Sequence, residues 1–168
     1  MEGSLKVEGL DKVLRGFDRA DKRVRAAAMK GLQRGSMRII ADAQNNLRQN
    51  LSVVTGLLRL SGKVQKVSET ELDAGFFDTT NKNSGYAFFV EYGRKAGKMP
   101  PPDELAQWAY KKFQLKDRKL ARAAGWAMAV KIARKGTAPH PFFVPAIEKN
   151  KNRLVSDIRE AIDRETQR

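Results

Sequence analysis

His140 is the chain's single histidine, set between Pro139 and Pro141. An imidazole titrates near neutral pH and suits a general base, but such a base needs an orienting carboxylate, and the sequence identifies none for it. One histidine makes no metal site. The chain has no cysteine, which excludes a thiolate nucleophile, a disulfide framework and a cysteine-based zinc centre. Glu69, Glu71, Asp73 and Asp78 offer a carboxylate pair on paper. On strands with alternating sides they read as a solvated face, and nothing nearby supplies a leaving-group or sugar site. The stretch Gly93–Met99 approaches a phosphate-binding loop but is one residue short of its spacing, lacks the metal-binding hydroxyl, and is followed by prolines that withhold the amides a cradle requires. Gly56–Lys63 is too long for the same loop. Trp108, Tyr110, Phe113 and Trp126 lie among lysines and arginines, as in a platform for stacking bases. Their helical spacing argues instead for a core, with at most one or two exposed. The reading is of a chain with no catalytic, cofactor-binding or metal-ligating residues, and not an enzyme.

Charge points to partners. Lys and Arg number 33 against 19 Asp and Glu, a formal net charge of +14 spread along the chain rather than held in one tail. Such a surface suits nucleic acid or an acidic protein. The N-terminus has no basic-then-apolar leader, and no run approaches the roughly 20 apolar residues that span a bilayer. The expectation is a soluble protein with no membrane contact.

At 168 residues the chain fits one domain, large enough to bury roughly 70% of the surface its unfolded form exposes. Leu5 and Val7 alternate with polar neighbours over Ser4–Glu8, a short strand, and Leu10, Val13, Leu14 and Phe17 take helical spacing. A long helix is expected from Asp21 to Asn50, because Val24, Ala28, Gly31, Leu32, Gly35, Ile39, Ala43 and Leu47 fall on one stripe. Gly31 and Gly35 read as a packing contact or a kink. Strands are expected over Leu58–Val67, Glu71–Phe77 and Gly85–Tyr92, joined by polar turns at Ser68–Thr70 and Asp78–Ser84, and most simply antiparallel. Helices follow from Pro102–Asp103, over Ala121–Lys135, and from Pro145 onward, with Ile147, Leu154, Ile158 and Ile162 on the last one's buried side. The sum is an α+β fold. It has an antiparallel sheet of about three to four strands, a helical part over 1–55, strands over 56–93, a basic proline-rich loop over 94–102 and helices over 103–168.

Landmarks along this frame form an ordered set: Thr55-Gly56-Leu57-Leu58-Arg59-Leu60-Ser61, Tyr86-Ala87-Phe88-Phe89-Val90-Glu91-Tyr92-Gly93, Gly136-Thr137, and Pro141-Phe142-Phe143-Val144-Pro145-Ala146. Together they resemble the tail-completion (tail-terminator, or head–tail joining) family of long-tailed double-stranded DNA bacteriophages. The chain departs from the family pattern by Leu58 before Arg59, by Arg94 after Gly93 and by Val144 near a usual Leu. The resemblance implies a structural virion protein of the neck, assembled in the host cytoplasm as a homo-oligomeric ring, commonly hexameric. That ring caps the tail tube and joins the tube to the head-closure or connector protein, with DNA passing through its channel. The alternative from another class is a basic nucleic-acid-binding protein. The assembly candidates are Arg94, Lys95 and Lys98, expected on a mobile exposed loop; Val64, in a strand region expected to meet neighbouring subunits; and Phe142 and Phe143, expected with Val144 to form a buried apolar segment between prolines.

Overall fold

The computed structural model describes residues 22–49, 56–77 and 86–167. The strand expected at Ser4–Glu8, the helix at Leu10–Phe17 and the turn at Asp78–Ser84 lie outside the described residues. In chain order the elements are α1 (Lys22–Gln49), a single turn α2 (Leu57–Leu60), β1 (Gly62–Lys66), β2 (Leu72–Phe76), α3 (Tyr86–Tyr92), α4 (Pro102–Lys112), α5 (Arg118–Lys135) and α6 (Phe143–Thr166).

The long helix runs as its apolar stripe predicts, burying Ala27, Ala28, Gly31, Leu32, Gly35, Ser36, Ile39, Ile40, Ala43 and Leu47. It lies antiparallel to α6: Arg23 meets Glu165, Gly31 meets Asp157, Gly35 meets Leu154, Asp42 meets Asn150 and Asn46 meets Phe142. The two glycines are the packing contact. A Cβ on Gly31 would stand 2.6 Å from the Asp157 carbonyl oxygen, and one on Gly35 would run into Leu154. Polar groups fix the register. Arg38 reaches both carboxylate oxygens of the buried Asp157, and Asn150 donates to Asp42 at 2.6 Å and to the Ala146 carbonyl at 2.9 Å. A buried carboxylate is tolerable because a guanidinium fork pairs with it.

The sheet is smaller than expected. Among the described residues it has two antiparallel strands, with Gly62 opposite Phe76, Val64 opposite Ala74 and Lys66 opposite Leu72. The segment predicted as a third strand, Gly85–Tyr92, carries the helix α3 instead. A short apolar run has no period of its own, and tertiary contact chose the helix: Ala87, Val90 and Glu91 turn inward at helical spacing, while Phe88, Phe89 and Tyr92 face out. The first strand also starts later than Leu58. The Leu60 amide donates to the Gly56 carbonyl, and the Ser61 hydroxyl donates to the Leu58 carbonyl, closing a helical turn before the chain extends. The hairpin packs on α1, where Gly62 approaches Ile40 and Gln44. The central core joins Leu32, Ile39, Ala43 and Leu47 of α1 to Phe142, Ala146 and Leu154, with Leu58, Leu72, Phe76, Ala87 and Val90 packed around them.

Of the other helices, α4 begins where expected, whereas α5 starts at Arg118 rather than Ala121, and α6 starts at Phe143 rather than Pro145, with Pro145 seated inside its first turn. Pro102 opens α4, with Asp103 and Glu104 in its first turn and Lys111 and Lys112 in its last, matching the helix dipole. Asp117 caps α5 by accepting from the Lys119 amide at 2.7 Å, and Gly136 ends it at φ 72°. The two helices pack through Ala106 and Gly125, where an added Cβ would lie 2.5 Å from the Ala106 amide nitrogen.

Two outcomes test the α1–α6 interface. Gly31→Ala gains roughly 1 kcal/mol of helix propensity but overpacks against backbone at a cost of roughly 1–3 kcal/mol, so the urea midpoint falls although an exposed helical glycine would gain stability. The second concerns Asp42. The hydrogen bond from Asn150, reinforced by Lys149 and Arg38 and opposed by partial burial, holds its carboxyl below the ordinary 3.8. A lowered carboxylate stabilises the fold fully above its unfolded value, and that contribution disappears as pH falls through the lowered folded value. Wild type is therefore more stable than Asp42→Asn near neutral pH in denaturant titrations, and the gap shrinks in acid below the ordinary carboxylate range.

Candidate functional site

The residues singled out around Tyr86–Gly93, Gly136 and Pro141–Ala146 meet in one place. Helix α6 starts at Phe143 after Phe142, whose side chain cannot cap it, and its first turn carries no acidic residue. A helix start leaves four backbone donors without internal partners. Three of them, the amides of Phe142, Phe143 and Val144, donate to the Glu91 carboxylate at 2.9, 2.9 and 3.0 Å. The fourth position is Pro145, which has no N–H. Every orphan donor of α6 is thus accounted for. Glu91 is 5% exposed, and its charge is held by three amides and by the positive end of a 24-residue helix.

The flanking glycines bring Glu91 to that position. Gly93 ends α3 at φ 73°, and a Cβ there would sit 2.5 Å from the Thr137 carbonyl oxygen. Arg94 and Thr137 then exchange backbone hydrogen bonds at 3.1 and 2.8 Å, and a Cβ on Gly136 would collide with the Arg94 carbonyl. The His140 amide donates to the Val90 carbonyl at 2.8 Å. Between the two proline-flanked ends, Phe142 is 1% exposed. Its ring meets Phe76 edge-on at 4.9 Å, and its carbonyl accepts from the Asn46 side chain at 2.9 Å.

This geometry re-sorts the assembly candidates. Phe142 belongs to the chain's own core, so it is not a surface for a partner, and Phe143 is half-buried beside Phe76. Val144 was expected to be buried with them and is exposed, because it points away on the first turn of α6. Arg94 is not part of a free loop. Its backbone is bridged to Thr137, its guanidinium donates to the Lys98 carbonyl and lies 5.7 Å from the Phe89 ring centre, and Gly97 is tied to Ala133 by a 2.8 Å hydrogen bond. Lys95 and Lys98 are exposed. Val64 is half-buried in β1.

The chemistry-bearing residues stay apart. His140 is exposed, and among the described residues no group of three or more His, Cys, Asp or Glu could hold a metal. The start of α6 is filled by Glu91 and offers no anion site. Trp108 packs edge-on against Phe113 at 5.8 Å. More of the aromatic set is exposed than expected: Tyr110, Phe113 and Trp126 all reach solvent, because α4 and α5 bury their small residues against each other and turn the large ones out. No described helix is long and apolar enough to cross a membrane. The role of Glu91 escaped sequence reasoning. The available signal was a helix start, Phe-Phe-Val-Pro, with no Ser, Thr, Asp or Asn to cap it, together with one acid inside an apolar run.

Replacing Glu91 by Ala strands three amides at a buried helix start, a loss of roughly 3 kcal/mol or more in denaturant unfolding. Glu91→Gln can keep its one acceptor oxygen on the Phe142 and Phe143 amides, which share a single oxygen of Glu91, but sets its NH2 against the Val144 amide and loses the charge, so it recovers only part of that loss. Comparison with family models, curated proteins and solved structures returns no match, so a functional reading rests on this chain's own residues.

Proposed function

We propose that the chain is a non-catalytic ring subunit of the tail-completion kind, terminating a phage tail tube and joining it to the head-closure or connector protein at the virion neck. The observation that carries this reading is the convergence on one carboxylate. Three of the four segments resembling that family, Tyr86–Gly93, Gly136-Thr137 and Pro141–Ala146, come together: Glu91 caps a helix start about 50 residues further along, which Pro141–Ala146 begins, and Gly93 and Gly136 allow the approach. Motif residues placed this way serve architecture, and an assembly protein needs rigid architecture more than reactive groups.

The two-stranded sheet supplies a route to ring closure. The Val67 amide donates to Glu71 and the Phe77 amide to Ser61, so odd-numbered residues of β1 form its hydrogen-bonded pairs, and the amide of Val64 points to the outer edge. No strand lies beyond that edge among the described residues. Edges of this kind pair readily with another chain. The net charge of +14 also supports the second reading, a basic nucleic-acid-binding protein.

Native mass spectrometry separates the two readings. Under the first, the chain forms a closed ring, alone or on purified tail tubes. A chain that stays monomeric in both settings and binds free DNA with steep salt dependence overturns it in favour of the second. Val64→Pro tests the edge itself: it removes an outward donor, so the subunit stays folded by circular dichroism while the ring is lost. Gln65→Pro removes a donor inside the hairpin and costs roughly 3 kcal/mol of stability. Rings formed at wild-type levels by Val64→Pro would exclude this edge from the interface.

A further inference from the structure

Helix α5 is apolar on two sides, and only one is covered. Ala121, Gly125 and Ala129 are buried, with Gly125 pressed against α4. On the side away from them, Leu120 is 60% exposed and Trp126 is 57% exposed, with exposed Ala123 and Ala127 between them. An exposed tryptophan and leucine on one well-formed helix leave large apolar area in water, where burial is worth on the order of 25 cal/mol per Å2.

The rim of this face has one sign of charge. The helix holds six Lys and Arg and no acid; Arg122 and Lys131 flank the apolar strip, and Lys119 and Arg134 stand at its two ends. No ion pair of the described residues neutralises them. A second copy of the chain would bring cations onto cations, within a molecule already at +14. A phosphate backbone would meet the cations but leave Leu120 and Trp126 uncovered. The occupant that satisfies both features is apolar at its centre and acidic at its edge.

We propose that the outer face of α5 is a docking surface for an acidic amphipathic helix of a partner protein, with Leu120 and Trp126 as apolar anchors and Arg122, Lys131 and Arg134 as the charged rim. The surface lies on a different element from the Val64 edge, so it stands whether or not the chain closes into a ring. The arrangement follows the usual division of an interface into an apolar centre that carries affinity and a charged rim that steers encounter.

The test uses the full chain and a synthetic helical peptide with a leucine stripe flanked by glutamates, its binding followed by fluorescence anisotropy. Comparison probes are the same peptide with Ser for Leu, the same peptide with Gln for Glu, and a short DNA duplex. The acidic leucine peptide binds, and its affinity falls with added salt. Leu120→Ser and Trp126→Ala each weaken it at least about tenfold, the effect of losing one large buried apolar side chain. Arg122→Gln with Lys131→Gln lowers affinity and flattens the salt dependence. These positions are exposed, so unchanged melting curves verify that the variants fold. The proposal is overturned if no peptide binds, or if the Ser-for-Leu peptide binds equally well. It is also overturned if the duplex binds most tightly and ignores Leu120→Ser and Trp126→Ala, or if those substitutions instead abolish a self-association of the chain.

Discussion

A carboxylate with three backbone amides around it holds this molecule in register. Removing Glu91 from water is costly unless its charge is compensated, and the start of α6 offers what a carboxylate requires: converging N–H groups and the positive end of a long helix. The compensation is mutual, since the helix has no capping side chain of its own. Once α3 and α6 are joined there, Phe142 is delivered against Phe76 of the hairpin and its carbonyl to Asn46 of α1. Four elements therefore share one junction.

The remaining architecture divides into a body and an excursion from it. In the body, α1 and α6 approach closely because Gly31 and Gly35 present no side chain, and the pairs Arg38–Asp157 and Asp42–Asn150 choose among the registers that apolar packing alone would leave nearly equal in energy. The chain leaves the body at Gly93 and returns at Gly136, with Arg94 and Thr137 bridged at the crossing. Between these points α4 and α5 form a helical hairpin packed through small residues. One consequence is functional. The sheet edge at Val64 and the outer face of α5 lie on different elements, so the ring contact proposed at the first and the partner helix proposed at the second would not compete for the same surface.

Much of the helical frame was legible in the residues. The stripe from Val24 to Leu47 fixed the length of α1, Pro102 with Asp103 and Glu104 marked the start of α4, and Gly136 marked the end of α5. These signals are local: a side-chain period, a proline that sets φ and a glycine that accepts positive φ act wherever they stand in a chain. The absence of cysteine and the strongly basic balance are likewise properties of the sequence alone.

Tertiary structure decided the rest. Tyr86–Tyr92 is apolar at nearly every position, so its pattern permits strand or helix, and only the placement of Ala87, Val90 and Glu91 against the core made it a helix. Phe142 and Val144 stand two residues apart in one apolar segment, yet one is core and the other is exposed, because the start of α6 turns them apart. Glu91 is separated by about 50 residues from the amides it holds. Sequence specified each partner's chemistry, an acid without a cation and a helix start without a cap, but their pairing is a fact of distance, which exists only after the chain has closed on itself.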